Sequence, residues 1–133
     1  MEGAPIDQHI VLFLDGWESL IDNNMEVEEK TRHLVREGLS YNIHVVISAS
    51  RWNNLRANIR DSLTTRWELR LGDTGDSIAG RKNAEQVPAL PGRGMTAGGL
   101  HFLFALQDED GLRAIAQQLS LIHISEPTRP LYI

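Results

Sequence analysis

Residues 9–18 read HIVLFLDGWE. The apolar residues Ile10 to Leu14 run without a break and stop at Asp15. A continuous run of this length predicts a central parallel strand buried on both faces. Asp15 then falls at the strand's C-terminal end, followed by a glycine turn at Gly16. In open α/β sheets that end is where ligands bind. A carboxylate there can order a Mg2+ ion, directly or through a water, beside a nucleotide's phosphates. This is the layout of a Walker B strand.

The segments downstream fit the same architecture. Asn23 with Glu26 has capping-box spacing. Val27, Thr31, Leu34 and Val35 then make one apolar helical face. Gly38 is expected to end this helix at its C′ position. Glu28, Glu29, Lys30, Arg32, Arg36 and Glu37 read as its solvated face. Residues 42–49 form a second, β-branched strand. Strand, helix and strand in this length make a βαβ unit, so the two strands should be parallel. Leu55, Ile59 and Leu63 predict a short amphipathic helix over 54–63. Residues 66–71 alternate, which predicts a third strand with Trp67, Leu69 and Leu71 on one face and Arg66, Glu68 and Arg70 on the other. Residues 72–76 read as a turn, 77–84 as a short helix and 88–99 as a loop. A fourth strand is expected at 100–106 and a closing helix at 110–119.

The chain has 133 residues, room for one domain at most. With 41% hydrophobic and 23% charged residues it reads as globular. A net charge of −5 argues against a broad basic surface for wrapping DNA. The absence of cysteine excludes disulfides and thiolate metal sites. Residues 1–8 carry acids and a proline, unlike a secretory leader, and the longest apolar run is too short to span a bilayer. The five histidines, at 9, 33, 44, 101 and 123, show no metal-ligand spacing. Residues 15–19 also approach a D-x-S-x-S metal motif, but Trp17 stands at the first serine position, which excludes it.

Four stretches together carry a family resemblance: DGW at 15–17, REGLSYNIHVVISASRW at 36–52, TRWELRLGDTGDS at 65–77, and PGRG at 91–94 followed by LHFLFAL at 100–106. In this order they resemble the EccC ATPases of type VII secretion, within the FtsK/SpoIIIE group of P-loop motor ATPases. The resemblance covers roughly residues 9–107. It implies an α/β, RecA-like P-loop NTPase fold, mainly a parallel sheet with flanking helices. No G-x-x-x-x-G-K-[ST] occurs in the sequence. The family's phosphate loop lies upstream of Walker B, so residues 1–119 resemble the C-terminal part of one ATPase module, with the Walker A strand and loop missing. Residue 16 is glycine where an active Walker B usually has a catalytic glutamate. Both departures imply a degenerate module that binds nucleotide and hydrolyses it poorly. SLIHISEPTRPLYI at 120–133 resembles a translated sequencing adapter. That tail is expected to be non-native or disordered and is set aside from the fold.

The resemblance implies ATP and Mg2+ as cofactors of the complete module. Asp15 is the Mg2+ candidate, with the alternative that it caps the following turn. Glu18 is the nearest carboxylate that could stand in for the missing base, but past the turn it is expected to face solvent. Ser48 and Ser50 follow the second strand at its C-terminal end, where a polar side chain can sense a γ-phosphate. The alternative is a capped turn. Arg51, Arg66 and Arg70 are arginine-finger or interface candidates, against simple pairing with Glu68 or helix carboxylates. Gly92 and Gly94 either bring backbone close to a nucleotide or merely permit positive φ. Trp17, Trp52 and Trp67 read as core or helix-packing residues. Implied partners are other ATPase modules of the parent chain, a membrane secretion complex and small helical secreted substrates, with DNA disfavoured. The implied location is the cytoplasm, attached to the inner membrane through other parts of the complex. The alternatives are a fragment of an FtsK-type DNA translocase, or a non-catalytic module that holds the signal helix of a secreted substrate.

Overall fold

The computed structural model describes residues 8–125. These divide into two units, one ending at Phe102 and the other starting at Leu103. The first begins with β1 (Ile10–Leu14), and Gly16 then takes φ +73° to turn the chain into α1 (Trp17–Ile21). Helix α2 (Met25–Glu37) follows and leads through a 3-10 turn at Gly38–Tyr41 into β2 (Ile43–Ile47). Strands β1 and β2 pair in parallel, from Ile10 opposite Ile43 to Leu14 opposite Ile47, as the βαβ reading requires.

The ends of α2 differ in detail from expectation. Asn24, not Asn23, is the cap, its side chain accepting from Val27 N–H at 3.4 Å. Gly38 is right-handed rather than left-handed. Its missing side chain serves packing instead, because a Cβ there would stand 3.0 Å from the Ile43 carbonyl oxygen. The left-handed position falls four residues on, at Asn42 with φ +57°.

A 3-10 turn at Trp52–Asn54 and α3 (Ala57–Arg60) follow β2. The helix is shorter than 54–63, yet its apolar spacing holds. Leu55 and Ile59 are buried with Trp17, and Leu14, Ile21, Val35, Ile47, Trp52 and Leu63 pack around them. Trp17, Leu55 and Ile59 thus form the apolar core expected of them.

The second sheet is a correction to the mainly parallel expectation. β3 (Trp67–Leu69) pairs antiparallel with β4 (Arg93–Thr96), and β4 neighbours β5 (His101–Leu103). The sheet of β1 and β2 is separate. β4 lies inside the stretch read as a loop, because its glycines conceal a strand. A Cβ on Gly94 would stand 2.4 Å from Phe102 Cζ and 2.5 Å from the Glu68 carbonyl oxygen. Between β3 and β4 lie a 3-10 turn (Thr74–Asp76) and the one-turn helix α4 (Arg81–Ala84).

Two burial patterns also overturn expectations. β1 is not buried on both faces: Phe13 is 72% exposed, and Val11 and Val46 are exposed beside it. A parallel pair places register partners on one face, and α2 packs on the other through Leu34 and Val35. The two faces of β3 are reversed. Glu68 is buried, whereas Trp67 and Leu69 are exposed, so Trp67 is not a core residue.

In the second unit, α5 runs Glu109–Ser125, past the expected end at Leu119 and into the segment set aside as tail. Gly111 N–H and Leu112 N–H both bond Asp108 at its start. The prolines at 127 and 130, with the rest of 126–133 and with 1–7, lie outside the described residues. Among the described residues no helix is long and apolar enough to cross a membrane.

Candidate functional site

The C-terminal ends of β1 and β2 lie side by side, which brings Asp15 and Ser48 together. The Ser48 hydroxyl donates to Asp15 Oδ1 at 2.5 Å and accepts from Gly16 N–H at 2.8 Å. Backbone bonds from Ser48 N–H to Leu14 and from Trp17 N–H to Ser48 close the junction. Asp15 is exposed. It is thus an accessible carboxylate aimed by a serine, at the end of a parallel pair.

Glu18 does not face open solvent. Its Oε1 accepts from Ser50 N–H at 2.7 Å, Ser50 Oγ at 2.8 Å and Asn54 Nδ2 at 2.7 Å. The Asn54 amide leads these donors in holding the Glu18 carboxyl down from its usual 4.5 to about 2. A carboxylate this well satisfied is a poor proton acceptor. Glu18 therefore fastens the loop after β2 to α1, and Ser50 is one of its anchors.

The same loop is held from the other side through Trp52. Its backbone N–H donates to Asp76 at 3.0 Å and its indole N–H to Glu68 at 2.7 Å. Glu68 also accepts from Ser77 Oγ at 2.7 Å and Ile78 N–H at 3.0 Å. These three donors explain the inverted face of β3, since a buried carboxylate is tolerated where its lone pairs are filled. Alternation along the strand gave the period but not the sign, and no simple sequence signal marks Glu68 as inward.

The arginines are placed separately. Arg66 Nε donates to the Leu63 carbonyl at 2.8 Å, so the pairing with Glu68 does not form. Arg51 and Arg70 are exposed. Gly92 takes φ +78°. Gly94's close approach is to β3 and Phe102, as given above. Sequence spacing did not anticipate that His9 Nδ1 lies 2.9 Å from His44 Nε2 across the parallel pair. Among the described residues no cluster of three or more potential metal ligands occurs.

A profile of the FtsK/SpoIIIE family matches residues 4–111. The chain belongs to the FtsK/SpoIIIE family. It is 43% identical over 104 residues to the ESX-4 secretion system protein EccC4 of Mycobacterium tuberculosis, a match covering 77% of this chain and 8% of that protein. It is 45% identical over 103 residues to the ESX secretion system protein EccC of Thermomonospora curvata, with the same two shares. Among solved structures it is similar to T. curvata EccC ATPases 2 and 3 in complex with a signal sequence peptide, with TM-score 0.78 and 39% identity. That match covers 90% of this chain and 23% of that one. The cytoplasmic domain of the same organism's type VII secretion ATPase matches with TM-score 0.77, 39% identity and 15% of its length covered. The chain thus spans only a small part of these relatives.

Membership in the FtsK/SpoIIIE family implies nucleotide use, usually with Mg2+. The residues present fit the metal side of such a site. Asp15 supplies an accessible hard oxygen, and Ser48 fixes its orientation. The phosphate-cradling lysine loop is not among these 133 residues.

Proposed function

We propose that this chain is part of a nucleotide-binding ATPase module of a type VII secretion motor, one that hydrolyses ATP poorly. The observation that carries the reading is the Asp15–Ser48 pair at the carboxyl ends of two parallel strands, in a sequence similar to EccC proteins. In the complete module Asp15 would hold Mg2+, directly or through a water, and the ion would neutralise charge on the phosphates. Ser48 keeps the carboxylate aimed. Ser50 reaches the nucleotide only by leaving Glu18, so Ser48 is the better placed of the two serines. Arg51, exposed on the anchored loop, is the arginine best presented to a neighbouring module. Gly92 and Gly94 act first through their own backbone and packing.

Poor hydrolysis follows from two features. Residue 16 is glycine, and Glu18 is occupied by Ser50 and Asn54, which leaves no free base beside Asp15 among the described residues. The partners are other modules of the parent chain, a membrane secretion complex that provides the attachment, and small helical secreted substrates. A module that mainly holds a substrate's signal segment is the second reading, favoured because the solved T. curvata relative carries a signal sequence peptide.

The test is titration of labelled ATP with Mg2+ into the complete parent module, with and without Asp15→Ala. A loss of about tenfold or more in affinity is expected, the scale of one charge-assisted contact. Equal affinities would defeat the Mg2+ role, and binding of a signal peptide unaffected by nucleotide would favour the second reading.

A further inference from the structure

A pair of histidines stands on the open face of the parallel sheet. His44 lies opposite Val11, and His9 comes two residues before Val11, so alternation puts all three on one face. The imidazoles meet diagonally across the two strands, a reach open to long side chains. His9 Nδ1 and His44 Nε2 are 2.9 Å apart, and the ring centroids are 5.1 Å apart. His9 is exposed and His44 is half-buried. The strands are tied beside them by the bond from Ile10 N–H to the Asn42 carbonyl, at 2.9 Å. The two residues are 35 positions apart in sequence, which is why spacing along the chain conceals them.

Two neutral imidazoles that face each other through ring nitrogens share one proton between them. A transition-metal ion can take that place. The ring that donates then carries its proton on its other nitrogen, so both lone pairs meet the ion and no net proton is released. The spacing also selects the ion. Metal–nitrogen bonds of about 2.0–2.1 Å that meet at a right angle hold their nitrogens about 2.9 Å apart, whereas a tetrahedral angle spreads them to about 3.3 Å. The observed 2.9 Å therefore matches a square-planar or octahedral ion such as Ni2+ or Cu2+, with water in the remaining positions.

We propose that His9 and His44 together bind one divalent transition-metal ion of this right-angled kind. The site is separate from the Mg2+ candidate. Asp15 follows the C-terminal end of β1 and His9 precedes its N-terminal end, about 20 Å away along the strand. The ligand chemistry differs as well, because imidazole suits Ni2+ and Cu2+ whereas a carboxylate suits Mg2+. The proposal therefore stands or falls without the nucleotide reading. Its competitor is the pair of His33 and Glu37, one turn apart on α2 at 3.7 Å.

The probe is Ni2+, titrated without nucleotide into the untagged chain and followed by calorimetry and by the NMR signals of the histidine rings. One ion should bind per chain. At less than one equivalent it should broaden the His9 and His44 rings and leave His33 and His101 sharp, and a chelator should restore the signals. His9→Gln and His44→Gln each leave a lone imidazole, so each should weaken Ni2+ binding by about tenfold or more. The double variant should lose little beyond either single one, because the two ligands act as a unit. Zn2+, which prefers the wider tetrahedral angle, should bind more weakly than Ni2+. The ring signals of the unsubstituted chain decide the matter even if a variant fails to fold. The proposal is overturned if Ni2+ does not bind below about 1 mM, if it broadens His33 in place of His9 and His44, if the folded variants bind like the parent, or if Zn2+ binds more tightly than Ni2+.

Discussion

In the sheet of β1 and β2, the apolar side chains of Val11, Phe13 and Val46 face outward, and the polar chemistry gathers at one rim. In the sheet of β3, β4 and β5, a glutamate lies inside while Trp67 and Leu69 lie outside. Both sheets break the rule that apolar residues go inward, but for different reasons. The first exposes a face that its own sequence makes suitable for burial, because one helix layer covers one side only. The second buries a charge because Trp52, Ser77 and Ile78 supply it with donors. An exposed apolar face leaves room for a contact, whereas a buried, fully bonded carboxylate marks an internal joint.

The contrast predicts unequal sensitivity to substitution. The largest effect should come from Glu68→Ala, which strands three donors in the interior. A loss of about 3 kcal/mol or more is expected in urea unfolding. A loss below about 1 kcal/mol would show that Glu68 joins nothing. Gly94→Ala should follow at about 2 kcal/mol, since the new methyl meets both a ring and backbone. A wild-type melting temperature in that variant would contradict the packing of β4 on Phe102.

Glu18 sharpens the comparison through pH. Its folded pKa is depressed from 4.5 to about 2, so its contribution is complete above 4.5 and is lost as pH falls through about 2. Glu18→Gln should flatten the stability profile within that window and leave its shape above it unchanged. An unaltered slope between pH 4.5 and 2 would count against the Ser50 and Asn54 clamp. The smallest effect on stability belongs to the open face. Phe13→Ser should cost less than about 1 kcal/mol, because little of the ring is buried here, while raising soluble yield. A severe loss of stability would mean that this face is already covered.

The parts of the fold that were legible were those fixed by local pattern. The unbroken run at Ile10–Leu14, the turn at Gly16 and the spacing of Leu55 and Ile59 led directly to the parallel pair, the Asp15 position and the core. Asp15 and Ser48 were both identifiable as residues at strand ends, although their mutual bond was not. The illegible parts depended on distant partners. The period of β3 was right and its orientation wrong, because the donors to Glu68 lie up to 16 residues away in sequence, at Trp52. β4 was hidden because glycine reads as loop wherever the crowding that demands it comes from another strand.

The segment from Ser48 to Asn54 has one more consequence. Its alternate residues 48, 50, 52 and 54 are tied in turn to Asp15, Glu18, Glu68 with Asp76, and again Glu18. A strap buckled at every second link does not bend one peptide at a time. Any event at Asp15 must either leave the strap where it is or shift it whole. A shift of the whole strap would carry Arg51 with it and pull on the second sheet through Trp52, so the acids that hold the loop in place also make it a lever.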